Sequence, residues 1–166
     1  DSCGNIYTNQ LFPVLDIEGT ANLYVEEDSC LTSPDKDYSY VIQVTGDMTL
    51  KEGNGRLTLM LGNCKEDSEE EENYGYSIWG RKEGENRRQG TVTLEGGDLV
   101  AYGAIEGVEK FTMTGGKADL SCGDGSCVYA EDIAILGGEL SLTDDAEKEW
   151  VSYFLKGRNS IYIDGA

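Results

Sequence analysis

Acid–base chemistry in this chain falls to carboxylates and thiols, because none of its 166 residues is histidine. A general base working near neutral pH would be a carboxylate raised by burial, or a cysteine. Asp119, between Ala118 and Leu120, should face opposite to both on a strand. Glu131 and Asp132 are adjacent, so on a regular strand they point to opposite faces and only one can face a cavity. A carboxylate inside a cavity beside Arg56 or Arg81 would make an acid/base pair suited to a cyclisation. The competing reading puts all of these groups on a solvated face, where charged side chains usually lie. No residue is assigned a catalytic role on this basis.

Metal and cofactor signatures are missing as well, and no cofactor is expected. Without histidine or a Cys-x-x-Cys pair, a soft-ligand metal cluster has no support. The Glu69–Glu72 run lacks the spaced oxygens and turn glycine of a calcium loop, and Asp124-Gly125-Ser126 is too short for one. No phosphate-binding glycine loop or Gly-x-Ser-x-Gly elbow occurs.

The five cysteines are Cys3, Cys30, Cys64, Cys122 and Cys127. Cys122 and Cys127 flank a glycine-rich turn short enough to bring their Cα atoms to disulfide distance, so they are the first expected pair. Cys30–Cys64 or Cys3–Cys30 comes next, which leaves one thiol free or bonded to another chain. This points to a secreted or other oxidising, extracytoplasmic compartment, with a plastid as the alternative. A start at Asp1 fits a removed targeting segment, or a start chosen in the laboratory.

The net charge of −19, from 32 acidic and 13 basic residues, repels nucleic acid and anionic lipid. It leaves cations, basic protein surfaces or simple solubility as its purpose. No apolar run approaches the roughly 20 residues of a membrane span.

The elements that must position these groups read as strands. With 22 glycines, two prolines and many β-branched and aromatic residues, the composition favours strands joined by tight turns. Residues 1–36 form an irregular N-terminal arm, with one strand around Asn22–Glu26, and 37–166 a single β-domain. Tyr38, Tyr40, Ile42 and Val44 share one strand face, and Leu57, Leu59 and Leu61 another, joined through a turn at Gly53-Asn54-Gly55. Further strands are predicted over 74–81, 91–95, 98–105, 110–114, 117–122, 127–136 and 139–142. At the end, Thr143-Asp144-Asp145 fits a helix cap, but the β-formers of 150–155 favour a terminal hairpin turning at Gly157–Ser160.

Double glycines recur at Gly96-Gly97, Gly115-Gly116 and Gly137-Gly138. A stacked solenoid would produce such a rhythm, yet the flanking residues keep no strict period. Hairpin turns in an antiparallel meander, closed into a barrel to remove its edges, are the expectation.

The stretch Gly107-Val108-Glu109-Lys110-Phe111, followed by Gly116, Ala118 and Leu120, resembles the barrel wall of the dirigent and allene oxide cyclase superfamily. Thr91-Val92-Thr93-Leu94-Glu95-Gly96 looks like the preceding strand, so the similarity covers about residues 90–122. Glu106-Gly107-Val108-Glu109 replaces a more glycine-rich family turn, and no family active-site residue maps here. The resemblance implies an eight-stranded antiparallel barrel, commonly oligomeric, whose apolar cavity steers reactive hydrophobic molecules.

Three functions remain open. The first is a non-catalytic acidic β-barrel serving as an interaction or structural subunit, on a basic protein partner or as a homo-oligomer. The second is a dirigent-like or cyclase-like protein, and the third a lipocalin-style carrier of a hydrophobic ligand. Tyr74, Tyr76, Trp79, Tyr102 and Trp150 would line a pocket in the last two, or are simply strand and core residues.

Overall fold

The computed structural model describes residues 13–33, 40–61, 76–81, 86–122, 126–144 and 153–165. They form 14 strands in two sheets, with no helix among them. In chain order these are β1 (Leu15–Ile17), β2 (Thr20–Leu23), β3 (Ser29–Ser33), β4 (Tyr40–Val44), β5 (Asp47–Leu50), β6 (Arg56–Leu61) and β7 (Tyr76–Trp79). They continue as β8 (Thr91–Leu94), β9 (Asp98–Tyr102), β10 (Ala104–Met113), β11 (Lys117–Cys122), β12 (Ser126–Ile135), β13 (Glu139–Asp144) and β14 (Tyr153–Ile163).

Every strand pair is parallel. The antiparallel eight-stranded meander is therefore overturned: the chain winds as a parallel β-solenoid. The smaller sheet runs β13-β11-β9-β6-β3. The larger has two tracks, β1-β4-β7 and β2-β5-β8, that fuse at β10 and continue through β12 to β14. Ala104–Glu106 of β10 joins β7 and Lys110–Met113 joins β8, with a register shift between Glu106 and Val108. The early coils thus have three strands and the later ones two.

Alternation along each strand builds the interior. Leu57, Leu59 and Leu61 do share a buried face. Parallel register stacks such positions in columns: Met48, Val92, Phe111 and Ile133 in one, and Leu50, Leu94, Met113 and Ile135 in another. Across from them, Leu57, Leu99 and Ala118 line the smaller sheet. All of these are at most 4% exposed. Burying each large member is worth about 1.5–3 kcal/mol, which makes these columns the main source of stability.

The double glycines are corners between the two sheets, not hairpin turns. Lys117 donates its backbone N–H to Gly97 O at 2.9 Å, and Glu139 to Gly116 O at 2.9 Å, so successive corners stack. Gly97, Gly116 and Gly138 have φ of 76, 77 and 89°. A Cβ on Gly116 would lie 2.6 Å from Gly97 O, and one on Gly138 2.7 Å from Gly116 O. Glycine recurs because each corner sits directly on the last.

Further corrections follow from the winding. Residues 15–33 pair with β4, β5 and β6 in both sheets, so this part of the expected irregular arm is built into the stack. Asp47–Leu50, unassigned in the sequence reading, is a strand. The turn expected at Gly157–Ser160 is continuous strand, accommodated by a register shift against β12 between Ala130 and Asp132. Residues 90–122, which carry the barrel-wall resemblance, run through β8 to β11 in alternating sheets.

Candidate functional site

With the interior filled by aliphatic side chains, chemistry-bearing groups gather on the outer surfaces. On the smaller sheet, register stacks Arg56, Asp98, Lys117 and Glu139 as a column of alternating charge. Arg56 bonds Asp98 at 2.9 Å and Lys117 meets Glu139 at 2.7 Å. The Glu139 carboxylate holds Lys117 above its ordinary value. These are exposed pairs that fix register and add at most about 1 kcal/mol each. Asp119 lies exposed on this same face, opposite Ala118 and Leu120 as expected. The column borders an open cleft of about 760 Å³ whose apolar wall includes Leu140, Leu155 and Ile163 at the last coil.

The larger sheet carries the more specific arrangement. Its outward column runs Asp16, Gln43, Trp79, Glu106, Tyr129, Lys156. Trp79 packs against Tyr76 with centroids 4.5 Å apart and against Tyr40 at 6.4 Å. Arg81 lies over Trp79, its guanidinium carbon 5.3 Å from the ring centre. Arg88 covers Tyr129 at 4.0 Å, and Lys156 approaches the same ring at 4.4 Å.

Two irregularities create room for this cluster. Gly107, at φ 76°, sits in the register shift of β10, and a Cβ there would press within 3.0 Å of Arg81 Cγ. The shift in β12 leaves Glu131 outside the ladder, where it accepts Arg88 at 3.1 Å and Arg158 at 3.4 Å. Asp132 instead accepts the Ser160 hydroxyl at 2.6 Å. Glu131 and Asp132 therefore both find surface partners, contrary to the strict alternation assumed for them, because a bulge breaks the alternation.

Arg88 is 8% exposed, and its Nε, like that of Arg81, has no hydrogen-bond partner among the described residues. Glu106 lies between the cations. Burial raises its carboxyl above the ordinary value, while Arg81, Arg88 and Lys156 pull it back. Chemically the patch joins two aromatic rings capped by cations, guanidinium donors and a carboxyl that holds its proton more tightly than usual. Such a surface suits recognition of a planar or anionic group.

Of the acid/base candidates, Arg81 enters the cluster beside Glu106, and Glu131 enters beside Arg88. Arg56 and Asp119 lie on the other sheet, where both line the open cleft with Leu140, Leu155 and Ile163. Glu106, Tyr129 and Lys156 went unrecognised in the sequence. Their only trace was the offset between successive double glycines, which gives the coil register that aligns them.

Cys122 and Cys127 form a disulfide, their Cα atoms 5.2 Å apart, tying the end of β11 to the start of β12. The bridge spans a crossing between sheets and not a hairpin, and it fits an oxidising compartment. Cys30 is a free thiol, and Cys3 and Cys64 lie outside the described residues, as do Tyr74, Trp150 and the Glu69–Glu72 run. Among the described residues no group of three or more metal-ligating side chains gathers, and no helix is long and apolar enough to cross a membrane.

Comparison with protein-family models, curated proteins and solved structures finds no match.

Proposed function

We propose that this chain is a non-catalytic interaction or structural subunit of an extracytoplasmic or plastid assembly, docking through the outer face of its larger sheet. The observation that carries the reading is the inversion of chemistry between inside and outside. Columns of Leu, Ile, Val and Met fill the interior, and the aromatic, guanidinium and carboxylate groups stand together on a surface. Cyclase and carrier functions would place a ligand in an enclosed barrel lumen; the interior is filled, and the one cleft described is open at the last coil.

Trp, Tyr and Arg are the residue types that anchor protein interfaces. The net charge of −19 favours a partner with a basic surface, and Arg81, over Trp79, provides the place for one carboxylate of that partner. The disulfide supports assembly in an oxidising compartment.

Native mass spectrometry of the protein purified from its own source, without reductant, tests this. The expected result is co-purifying protein subunits that an Arg81→Glu variant fails to retain. A hydrophobic small molecule bound to the free chain would overturn the reading.

A further inference from the structure

The two ends of the stack are unfinished in complementary ways. β14 pairs with β12 and has no described strand on its other edge. Its inward residues continue the core columns into solvent: Ile161 is 45% and Ile163 60% exposed, whereas Ile133 and Ile135 beneath them are 1% exposed. At the opposite end β1, β2 and β3 pair with β4, β5 and β6, and among the described residues no strand lies on their other side.

In a parallel solenoid each coil fits the next by a shift of one strand spacing, about 4.8 Å, so the first edge is shaped to receive the last. Extending the observed columns across such a joint gives definite pairs. Leu15 heads the column that ends at Leu155, Ala21 the one that ends at Ile161, and Leu23 the one that ends at Ile163. On the smaller sheet Leu31 heads the column that ends at Leu142.

On the larger sheet charge agrees with this register, whereas on the smaller sheet Asp28 heads the column that ends at Glu139 and the two acids carry like charge. The first coil carries Asp16, Glu18, Glu26, Glu27 and Asp28, all exposed, and the last strand carries Lys156 and Arg158, also exposed. Asp16 heads the very column that Lys156 ends. A tail-to-tail joint would instead set Lys156 and Arg158 against their own copies.

We propose that a second copy of this chain stacks head to tail, its β1–β3 edge adding in parallel register to β14 and β13. Such a contact is heterologous and does not close on itself, so it propagates into linear assemblies. The proposal concerns the chain alone and stands apart from the docking partner proposed above.

Cys30 reports the joint directly. It heads the column that ends at exposed Ser141, so Ser141→Cys places two thiols of neighbouring copies at the spacing a disulfide bridges. Mild oxidation of the purified variant should give a ladder of covalent multimers, with a peptide linking Cys30 to the introduced thiol. Adding Cys30→Ser should abolish that link. In sedimentation of the unmodified chain, association should grow with concentration. Lys156→Glu should weaken it on the order of ten-fold, and Asp16→Lys in the same chain should restore it. A chain that stays monomeric at every concentration, leaving Ile161 and Ile163 to some other protein, overturns the proposal. So do multimers of the oxidised variant that lack the Cys30 link.

Discussion

Arg88 lies over the ring of Tyr129, its guanidinium carbon 4.0 Å from the ring centre, and from there reaches the Glu131 carboxylate at 3.1 Å. The arginine comes from the segment after β7 and the tyrosine from β12, so their contact pins a loop onto a coil far ahead of it in the chain. With Arg88 buried and Glu131 largely covered, removing the cation leaves a carboxylate short of its best partner.

Arg88→Ala should therefore destabilise the fold by about 3 kcal/mol, near the cost of breaking a buried pair. Arg88→Lys should recover only part of this, because an ammonium cannot lie flat on Tyr129 while bonding Glu131. Chemical denaturation with an unchanged dependence on denaturant checks both. A loss below about 0.5 kcal/mol in Arg88→Ala would show the contact to be ornamental.

The stacked corners make a sharper contrast. Gly116→Ala should cost about 2–4 kcal/mol, since its Cβ would lie 2.6 Å from Gly97 O and its φ is 77°. Gly19→Ala meets nothing within 4 Å and should stay within about 0.5 kcal/mol of the parent. Paired melting curves of the two variants decide whether corner stacking, and not glycine loss in general, carries the penalty.

Most strand positions between Arg56 and Leu142 were legible in the sequence, those of β1, β3, β5 and β14 were not, and the direction of none was. Arg56–Leu61 and Lys117–Cys122 alternate in the same way whether the neighbouring strand runs parallel or antiparallel, so periodicity finds the strand and is blind to its partner. Clean alternation normally signals an antiparallel sheet, because most parallel sheets are covered on both faces. Here each sheet buries only its inner face, against the other. Gly115-Gly116 reads as a hairpin for a related reason: two residues suffice either to reverse the chain or to turn it into the next sheet. The cluster around Tyr129 was hidden more deeply. Its members come from separate coils, and the bulges at Gly107 and Glu131 move side chains off any regular alternation.

The Cys122–Cys127 bridge closes a short loop at a crossing between sheets. Loop-closure entropy for so few residues corresponds to about 2 kcal/mol. The double variant Cys122→Ala/Cys127→Ala should lose roughly that amount, and reductant should lower the melting temperature of the parent while leaving the variant unmoved. Equal sensitivity of both to reductant would place the redox-dependent stability in another cysteine.

Glu106 gives the stability a pH dependence of definite sign. Burial raises its carboxyl above the ordinary 4.5, and Arg81, Arg88 and Lys156 only partly offset this. A carboxyl raised in the folded state keeps its proton where the unfolded chain has already lost one. Its contribution is thus fully present below the ordinary value and is lost as pH rises through the raised one. Glu106→Gln keeps the shape of the protonated side chain and cannot titrate. Unfolding free energies of parent and variant, measured from about pH 4 to about pH 7, remove the many other carboxylates by difference. Parent minus variant should fall across that range. A difference that rises instead would mean that the three cations outweigh burial, and that the patch holds Glu106 as an anion matched to them.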